Sequence, residues 1–236
     1  MINIKNLSFR YNENDIIKNL NAIFDSNTSI IGKSGCGKTT LLHLISGILN
    51  PAEGKISIND KDNSYYKNEI GLVMQKGGVF PYKTVYENIS LGLQVKKEKN
   101  IDEKVCKVAK KLGLLDKLGK YPKELSGGQV QRTALGRMLC MSPKILLLDE
   151  PFSSLDEITR QKLQDEIIKI SNDEGILVIT VTHSIQEAVI LGKKLIAMGS
   201  DGSIVKEYDT QKYIERDIDY FNKCIEIDKE IRSILI

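Results

Sequence analysis

The sequence predicts an α/β fold: a parallel-sheet core, a small antiparallel β layer at the N-terminus and an inserted, mostly helical segment. Three observations predict it. Apolar runs recur at Thr28-Ser29-Ile30-Ile31, Ile70-Gly71-Leu72-Val73-Met74, Ile145-Leu146-Leu147-Leu148 and Ile176-Leu177-Val178-Ile179, and such runs read as strands buried on both faces. Helical periodicity follows several of them. The first run leads into Gly32-Lys33-Ser34-Gly35-Cys36-Gly37-Lys38-Thr39-Thr40, which fits G-x-x-x-x-G-K-[ST], a phosphate-cradling P-loop set between strand and helix. Glycines let the backbone wrap closely, and bare N–H groups and the helix dipole then point at phosphate. Lys38 would reach the terminal phosphates, and the Thr39 hydroxyl would bind Mg²⁺.

The chain has 236 residues with 41% hydrophobic and 28% charged composition, enough for one large globular domain or two small ones. A net charge of +3 gives no argument for a nucleic-acid partner. Cys36, Cys106, Cys140 and Cys224 are widely spaced with no C-x-x-C, which fits a reducing compartment better than a disulfide scaffold or a zinc site. Met1-Ile2-Asn3-Ile4-Lys5 has no signal-peptide character. No apolar run approaches the ~20 residues of a membrane helix, so work at a membrane would require another chain to hold this one there.

Residues 2–11 read as a strand, bulged near Asn6. A turn follows at Asn12-Glu13-Asn14-Asp15, then a second strand over 16–24 and a turn at Asp25-Ser26-Asn27. Tyr11 is either an adenine platform, where stacking is worth ~1–3 kcal/mol per base, or a plain strand residue with a wet hydroxyl. The helix after the P-loop should end near Gly47, with a turn at 51–54, a strand over 55–58 and another turn at 59–62. Cys36, at that helix's start, should react with alkylators unless nucleotide covers it.

Gln75 directly follows the strand 70–74, at the edge where open α/β sheets bind ligands. Its amide could touch Mg²⁺ and an attacking water, or it could be an ordinary loop glutamine. Gly77-Gly78-Val79-Phe80-Pro81-Tyr82 reads as a mobile aromatic loop, residues 85–93 are mixed, and 95–99 is a solvated charge run. Val105, Val108, Ala109 and Leu112 lie at helical spacing, giving a helix from Asp102 to near Gly113. Residues 75–141 are thus a mostly helical insertion between core strands.

Leu125-Ser126-Gly127-Gly128-Gln129 opens another helix, with Ser126 and Gln129 as a capping box. A Ser-Gly-Gly helix start is also a second anion site. One P-loop does not need a second phosphate site, so this surplus is the most informative feature of the sequence. The strand 145–148 ends in Asp149-Glu150. Asp149 would hold Mg²⁺, and Glu150 would accept a proton from water attacking a γ-phosphate, help worth ~10²–10⁴ in rate. Asp156 is an N-cap for a helix ending at Gly175. His183 ends the strand 176–182, either as a structural histidine or as a γ-phosphate contact. Ser184 and Glu187 form another capping box, residues 195–198 and 203–208 read as two late strands, and 218–236 as a helix packing on the core or on a partner.

With these elements in this order, the chain resembles ABC transporter ATP-binding subunits almost end to end. The resemblance implies a P-loop NTPase, RecA-like core, with residues 1–236 as one domain, a core of about 1–74 and 142–236 and a helical subdomain of about 75–141. It makes Tyr11 the A-loop aromatic, residues 32–40 Walker A, Gln75 the Q-loop glutamine, residues 125–129 the signature and Asp149 the end of Walker B. Glu150 becomes the catalytic glutamate, residues 153–156 the D-loop, with Asp156, and His183 the switch histidine. Cassettes of this family pair head to tail, the signature of one covering ATP on the P-loop of the other. That implies ATP with Mg²⁺, a second copy of the chain, and transmembrane permease subunits docking on residues 77–86. It also implies a solute-binding protein acting indirectly, and a place on the cytoplasmic face of the membrane with no nucleic acid. Pro81-Tyr82-Lys83-Thr84-Val85-Tyr86-Glu87-Asn88 and Val181-Thr182-His183-Ser184-Ile185-Gln186-Glu187-Ala188 look most like importers of nitrate, sulfonate, taurine and related solutes. Ser154 replaces a usual small residue, Ser184 a usual acidic one, and the segment 19–32 is short. No large C-terminal regulatory domain is expected.

Two other classes share these motifs. Soluble cassettes of DNA maintenance separate P-loop and signature with a long coiled coil, whereas Lys38 and Ser126 have no sustained heptads between them. Translation-factor cassettes need two copies in one chain. An exporter cassette remains an alternative to the importer, and the solute is selected by chains other than this one.

Overall fold

The computed structural model describes residues 1–75, 78–213 and 215–234. Two compact units emerge, Met1–Lys67 with Leu177–Ile236, and Asn68–Ile176.

The first unit opens with strands β1 (Ile2–Tyr11), β2 (Asn14–Phe24) and β3 (Thr28–Gly32), followed by helix α1 (Lys38–Ile45), strand β4 (Glu53–Ile58) and the two-residue strand β5 (Lys61–Asp62). An antiparallel sheet of order β2-β1-β4-β5 forms from them. Ile2, Ile4, Leu7 and Phe9 of β1 are buried on one face, the period-2 pattern of a half-covered strand. The expected bulge is present: Asn6 sits at φ 50 and the register against β2 shifts between Ile4 and Leu7. Both β2 and β4 begin two residues earlier than the sequence suggested, because Asn14, Asp15 and Glu53 pair with β1, with Gly54 at the register shift between the Lys5 and Ser8 pairs.

The unit closes with β8 (Leu177–Val181), α6 (Ile185–Leu191), β9 (Lys194–Met198), β10 (Ile204–Asp209) and α7 (Ile218–Ile234). Here β3 lies between β8 and β9, parallel to both, and β10 runs antiparallel to β9 at the edge. The middle strand therefore delivers the P-loop from a buried position. The carbonyls ending α1 are met by the Asn63 side chain, whose Nδ2 lies 2.8 Å from Leu44 O, and Gly47 takes φ 72 just beyond.

The second unit holds β6 (Ile70–Val73), α2 (Val85–Val95), α3 (Ile101–Lys111), α4 (Gly127–Leu139), β7 (Ile145–Asp149) and α5 (Glu157–Glu174). Strands β6 and β7 pair in parallel, and all five residues of β7 are buried. Residues 85–93, mixed in character from sequence, belong to helix α2. Its start carries a full capping box, Thr84 Oγ1 accepting from Glu87 N and Glu87 Oε2 accepting from Thr84 N at 2.7 Å. The T-x-x-E pattern of Thr84 and Glu87 is the sequence signal for this helix.

Candidate functional site

Within the first unit, β3 ends at Gly32, and the chain turns through residues 33–37 into α1. Two glycines take left-handed conformations, Gly35 at φ 82 and Gly37 at φ 100, which side-chain-bearing residues rarely adopt. A Cβ on Gly32 would stand 2.7 Å from both Cys36 Sγ and Met198 O, so the turn closes only without one. No side chain caps the N-terminus of α1, leaving its first-turn amides for an anion. Lys38 is buried, and its ammonium donates to the carbonyls of Gly32 at 2.8 Å and Lys33 at 2.9 Å. Those bonds fold the lysine over the loop its charge serves. Lys33, Ser34, Gly35 and Thr39 are exposed along the rim, while Thr40 is buried.

Cys36 departs from expectation. Its side chain is 2% exposed, with Sγ 3.9 Å from the Lys38 ammonium. The position at a helix start is as read, but the thiol points inward beneath the loop, so alkylation requires the loop to open.

Tyr11 ends β1 and is 47% exposed, in a T-shaped contact with Phe9 at a centroid separation of 4.9 Å. An exposed ring face is what a stacking platform needs. His183 lies just past β8 and is exposed. The turn carrying it is fixed on both sides: Thr182 Oγ1 donates to the buried Glu187 carboxylate, and Ser184 N donates to Thr182 Oγ1 at 3.1 Å. The expected capping box is therefore only half made. Ser184 Oγ accepts from Glu187 N, but the Glu187 carboxylate turns to Thr182 instead of to the cap's own N–H.

Within the second unit, Gln75 and Glu150 meet: Gln75 Nε2 donates to Glu150 Oε2 at 2.7 Å. They lie 75 residues apart, yet each follows the end of one of the two paired strands. Asp149 is the last residue of β7 and is 7% exposed. Glu150 then takes φ 46, a left-handed conformation that costs a non-glycine residue about 1–3 kcal/mol and that clusters at functional sites. The Ser153 hydroxyl and N–H both donate to Glu150 O, at 3.2 and 3.4 Å, which steadies that turn. The strand's alternation is broken here, and two adjacent carboxylates take different surroundings.

The capping box that opens α4 is formed as read. Ser126 Oγ accepts from Gln129 N at 3.3 Å, and Gln129 Oε1 accepts from Ser126 N at 3.0 Å. A Cβ on Gly128 would come within 2.4 Å of Thr159 Cγ2, so this glycine is required by close packing on the start of α5. Asp156 caps α5 through Thr159 N at 3.0 Å, and these hydrogen bonds lower the Asp156 pKa. Arg132 and Glu166, paired at 3.1 Å, tie α4 to α5.

ATP and Mg²⁺ fit these residues on chemistry. The P-loop cradle closes only around glycine, and the Thr39 hydroxyl and the Asp149 carboxylate are hard oxygen donors of the kind Mg²⁺ takes. Among the described residues no group of three or more His, Cys, Asp or Glu gathers into a metal cage. Mg²⁺ is ordinarily held by one or two protein oxygens and the substrate's phosphates.

Comparison with known proteins agrees. The family model described as ABC transporter matches residues 19–153. The taurine import ATP-binding protein TauB of Jannaschia sp. is 42% identical over 183 residues, covering 76% of this chain and 68% of that protein. The spermidine/putrescine import ATP-binding protein PotA of Clostridium acetobutylicum is 41% identical over 208 residues, covering 84% of this chain and 58% of that protein. Among solved structures, the dimeric bacterial ABC transporter cassette MJ0796 superposes with a TM-score of 0.80 at 29% identity, covering 89% of this chain and 99% of its own. CbiO1 of Clostridium perfringens, at 24% identity and a TM-score of 0.82 over the whole chain, shares the fold. The chain belongs to the ABC transporter family, and is an ATP-binding, ATP-hydrolysing cassette of it that uses Mg²⁺.

Proposed function

We propose that this chain powers an importer of a small organic solute of the taurine, sulfonate or nitrate kind. Two copies close head to tail around ATP, and hydrolysis reopens them. The observation that carries this reading is the second helix-start anion site at Ser126, Gly127, Gly128 and Gln129, which a lone P-loop enzyme has no use for. A neighbouring structure is the post-hydrolysis MJ0796 dimer bound to ADP and Pi, which supports the same cycle here.

Each residue then has a role. Tyr11 stacks on adenine. Gly32, Lys33, Ser34, Gly35, Cys36, Gly37, Lys38, Thr39 and Thr40 hold the phosphates, with Thr39, Asp149 and Gln75 on the Mg²⁺ side. Glu150 accepts the proton of the attacking water, Gln75 orients that carboxylate, and His183 contacts the γ-phosphate. Leu125 to Gln129 act on the partner copy's nucleotide, and Asp156 sits in the D-loop. Residues 1–236 work as one cassette, with 75–141 as its helical part.

No helix among the described residues is long and apolar enough to cross a membrane. Permease subunits accordingly hold the chain at the cytoplasmic face, docking on residues 78–86; the expected surface also took in Gly77, which lies outside the described residues. A solute-binding protein feeds the permease. Relatives named for taurine import support the importer assignment. Co-purification with a multi-span membrane protein, with ATPase stimulated in that complex, is the expected result. Turnover stimulated by DNA or ribosomes, with no such membrane partner, would overturn it.

A further inference from the structure

Residues 77–82 read as a mobile loop from sequence, with Gly77 outside the described residues, and over residues 80–82 the structure contradicts this. Asn88, on the first turn of α2, is 0% exposed. Its Oδ1 accepts from Phe80 N at 2.7 Å, and its Nδ2 lies 2.9–3.1 Å from the carbonyls of Phe80, Lys83 and Thr84. One buried side chain thus replaces water for the backbone of a whole turn. Buried polar groups of this kind are costly to leave unpaired, so the turn holds one shape.

That shape is also fastened to the signature helix. The Arg137 guanidinium of α4 stands over the Phe80 ring, 5.1 Å from its centroid. Gly78 approaches α4 so closely that a Cβ there would be 2.7 Å from Ala134 Cβ. At the other end of the turn, the first amides of α2 donate onward: Val85 N to Lys120 O and Tyr86 N to Leu118 O, both at 2.9 Å. Residues 118–120 lead through the short turn Pro122–Glu124 into the signature. Pro81 and Tyr82 project from this anchored turn, with Tyr82 70% exposed. Burial also lowers the Arg137 pKa, as desolvation of a guanidinium over a ring requires.

We infer that Asn88 and Arg137 are positioning residues that join the partner-docking turn 78–84 to the signature helix α4, so that covering of Ser126–Gln129 by nucleotide is felt at Pro81 and Tyr82. Neither residue belongs to the proposed nucleotide-binding set. Asn88 sets the turn's shape and Arg137 sets its attachment. This inference rests on the proposed ATP-dependent pairing through the signature.

Hydrogen exchange on the full-length protein with and without ATP tests it, in a Glu150→Gln background that keeps nucleotide bound. In that background ATP should slow exchange both at residues 125–131 and at the turn 78–84. Arg137→Met, which keeps the bulk but loses the cation, should retain protection at 125–131. Its ATP-dependent protection of the turn should fall about tenfold, within the usual range of coupling between sites. Arg137→Lys, which keeps a cation over the ring, should restore part of that response. Asn88→Asp, which keeps the acceptor and loses the donor, should behave as Arg137→Met does. Turn protection that persists in both variants would overturn the inference, as would signature protection in the Glu150→Gln parent with no response at the turn. Absence of ATP protection at both places in the parent would instead overturn the pairing reading itself.

Discussion

Gln75 Nε2 and Glu150 Oε2 are joined by a 2.7 Å hydrogen bond between residues that lie just past the ends of neighbouring parallel strands. An amide that donates to the carboxylate holds that group in one rotamer. Gln75→Ala removes that restraint. A hydrogen bond to a charged group is worth about 1.5–3 kcal/mol, and exposure of this pair places the effect at the lower end, about tenfold in kcat. Nucleotide titration should show little change in ATP affinity. Equal loss in affinity and rate would mean that Gln75 mainly binds nucleotide.

Lys38→Ala should cost ATP affinity by about 10- to 100-fold, the worth of one charge-assisted contact. The buried ammonium already lies over the loop on the carbonyls of Gly32 and Lys33. Isothermal titration with ATP reads the effect directly, and unchanged affinity would remove the lysine from the phosphate site.

Mixing Lys38→Ala with Ser126→Arg separates the two halves of the composite site. Each variant alone should be inactive. A mixed dimer carries one intact P-loop facing one intact signature, so part of the ATPase activity should return. Inactivity of a mixed dimer shown to form would contradict head-to-tail pairing.

The cysteines differ in reach. Cys106 is exposed, whereas Cys36, Cys140 and Cys224 are buried. A maleimide should label Cys106 first in the native protein, and Cys36 only as the P-loop opens. Burial pushes the Cys140 thiol up from 9.0 to about 11. Between those values the unfolded chain releases a proton that the folded chain keeps. Stability should therefore fall as pH rises from about 9 towards 11. Chemical denaturation across that interval should show the decline, less steep in Cys140→Ala. An unchanged slope in that variant would assign the decline to other groups.

What the sequence revealed, and what it hid, follows from the range of the interactions. The P-loop, the capped signature helix and the buried β7 announce themselves through neighbouring residues, and Ser126 with Gln129 caps α4 as read. The Gln75–Glu150 bond joins positions 75 residues apart, and only strand pairing reveals it. Helix α2 was legible in Thr84 and Glu87 but was obscured by the aromatic turn before it. The Glu187 carboxylate does not complete the expected capping box because Thr182 Oγ1, five residues back, outcompetes the cap's N–H. In α7, Cys224 and Ile231 are buried as periodicity predicts, but Phe221 and Ile225 face outward. Helical spacing alone does not say which stripe meets the core.

The central claim is that Glu150 drives water onto ATP held between two copies of this chain. Size-exclusion chromatography with light scattering on Glu150→Gln, run with Mg²⁺ and ATP beside a hydrolysis assay, tests it most directly. The account predicts an ATP-dependent dimer and turnover slowed by about 10²–10⁴-fold. A monomer at saturating ATP, or hydrolysis at the wild-type rate, would contradict it.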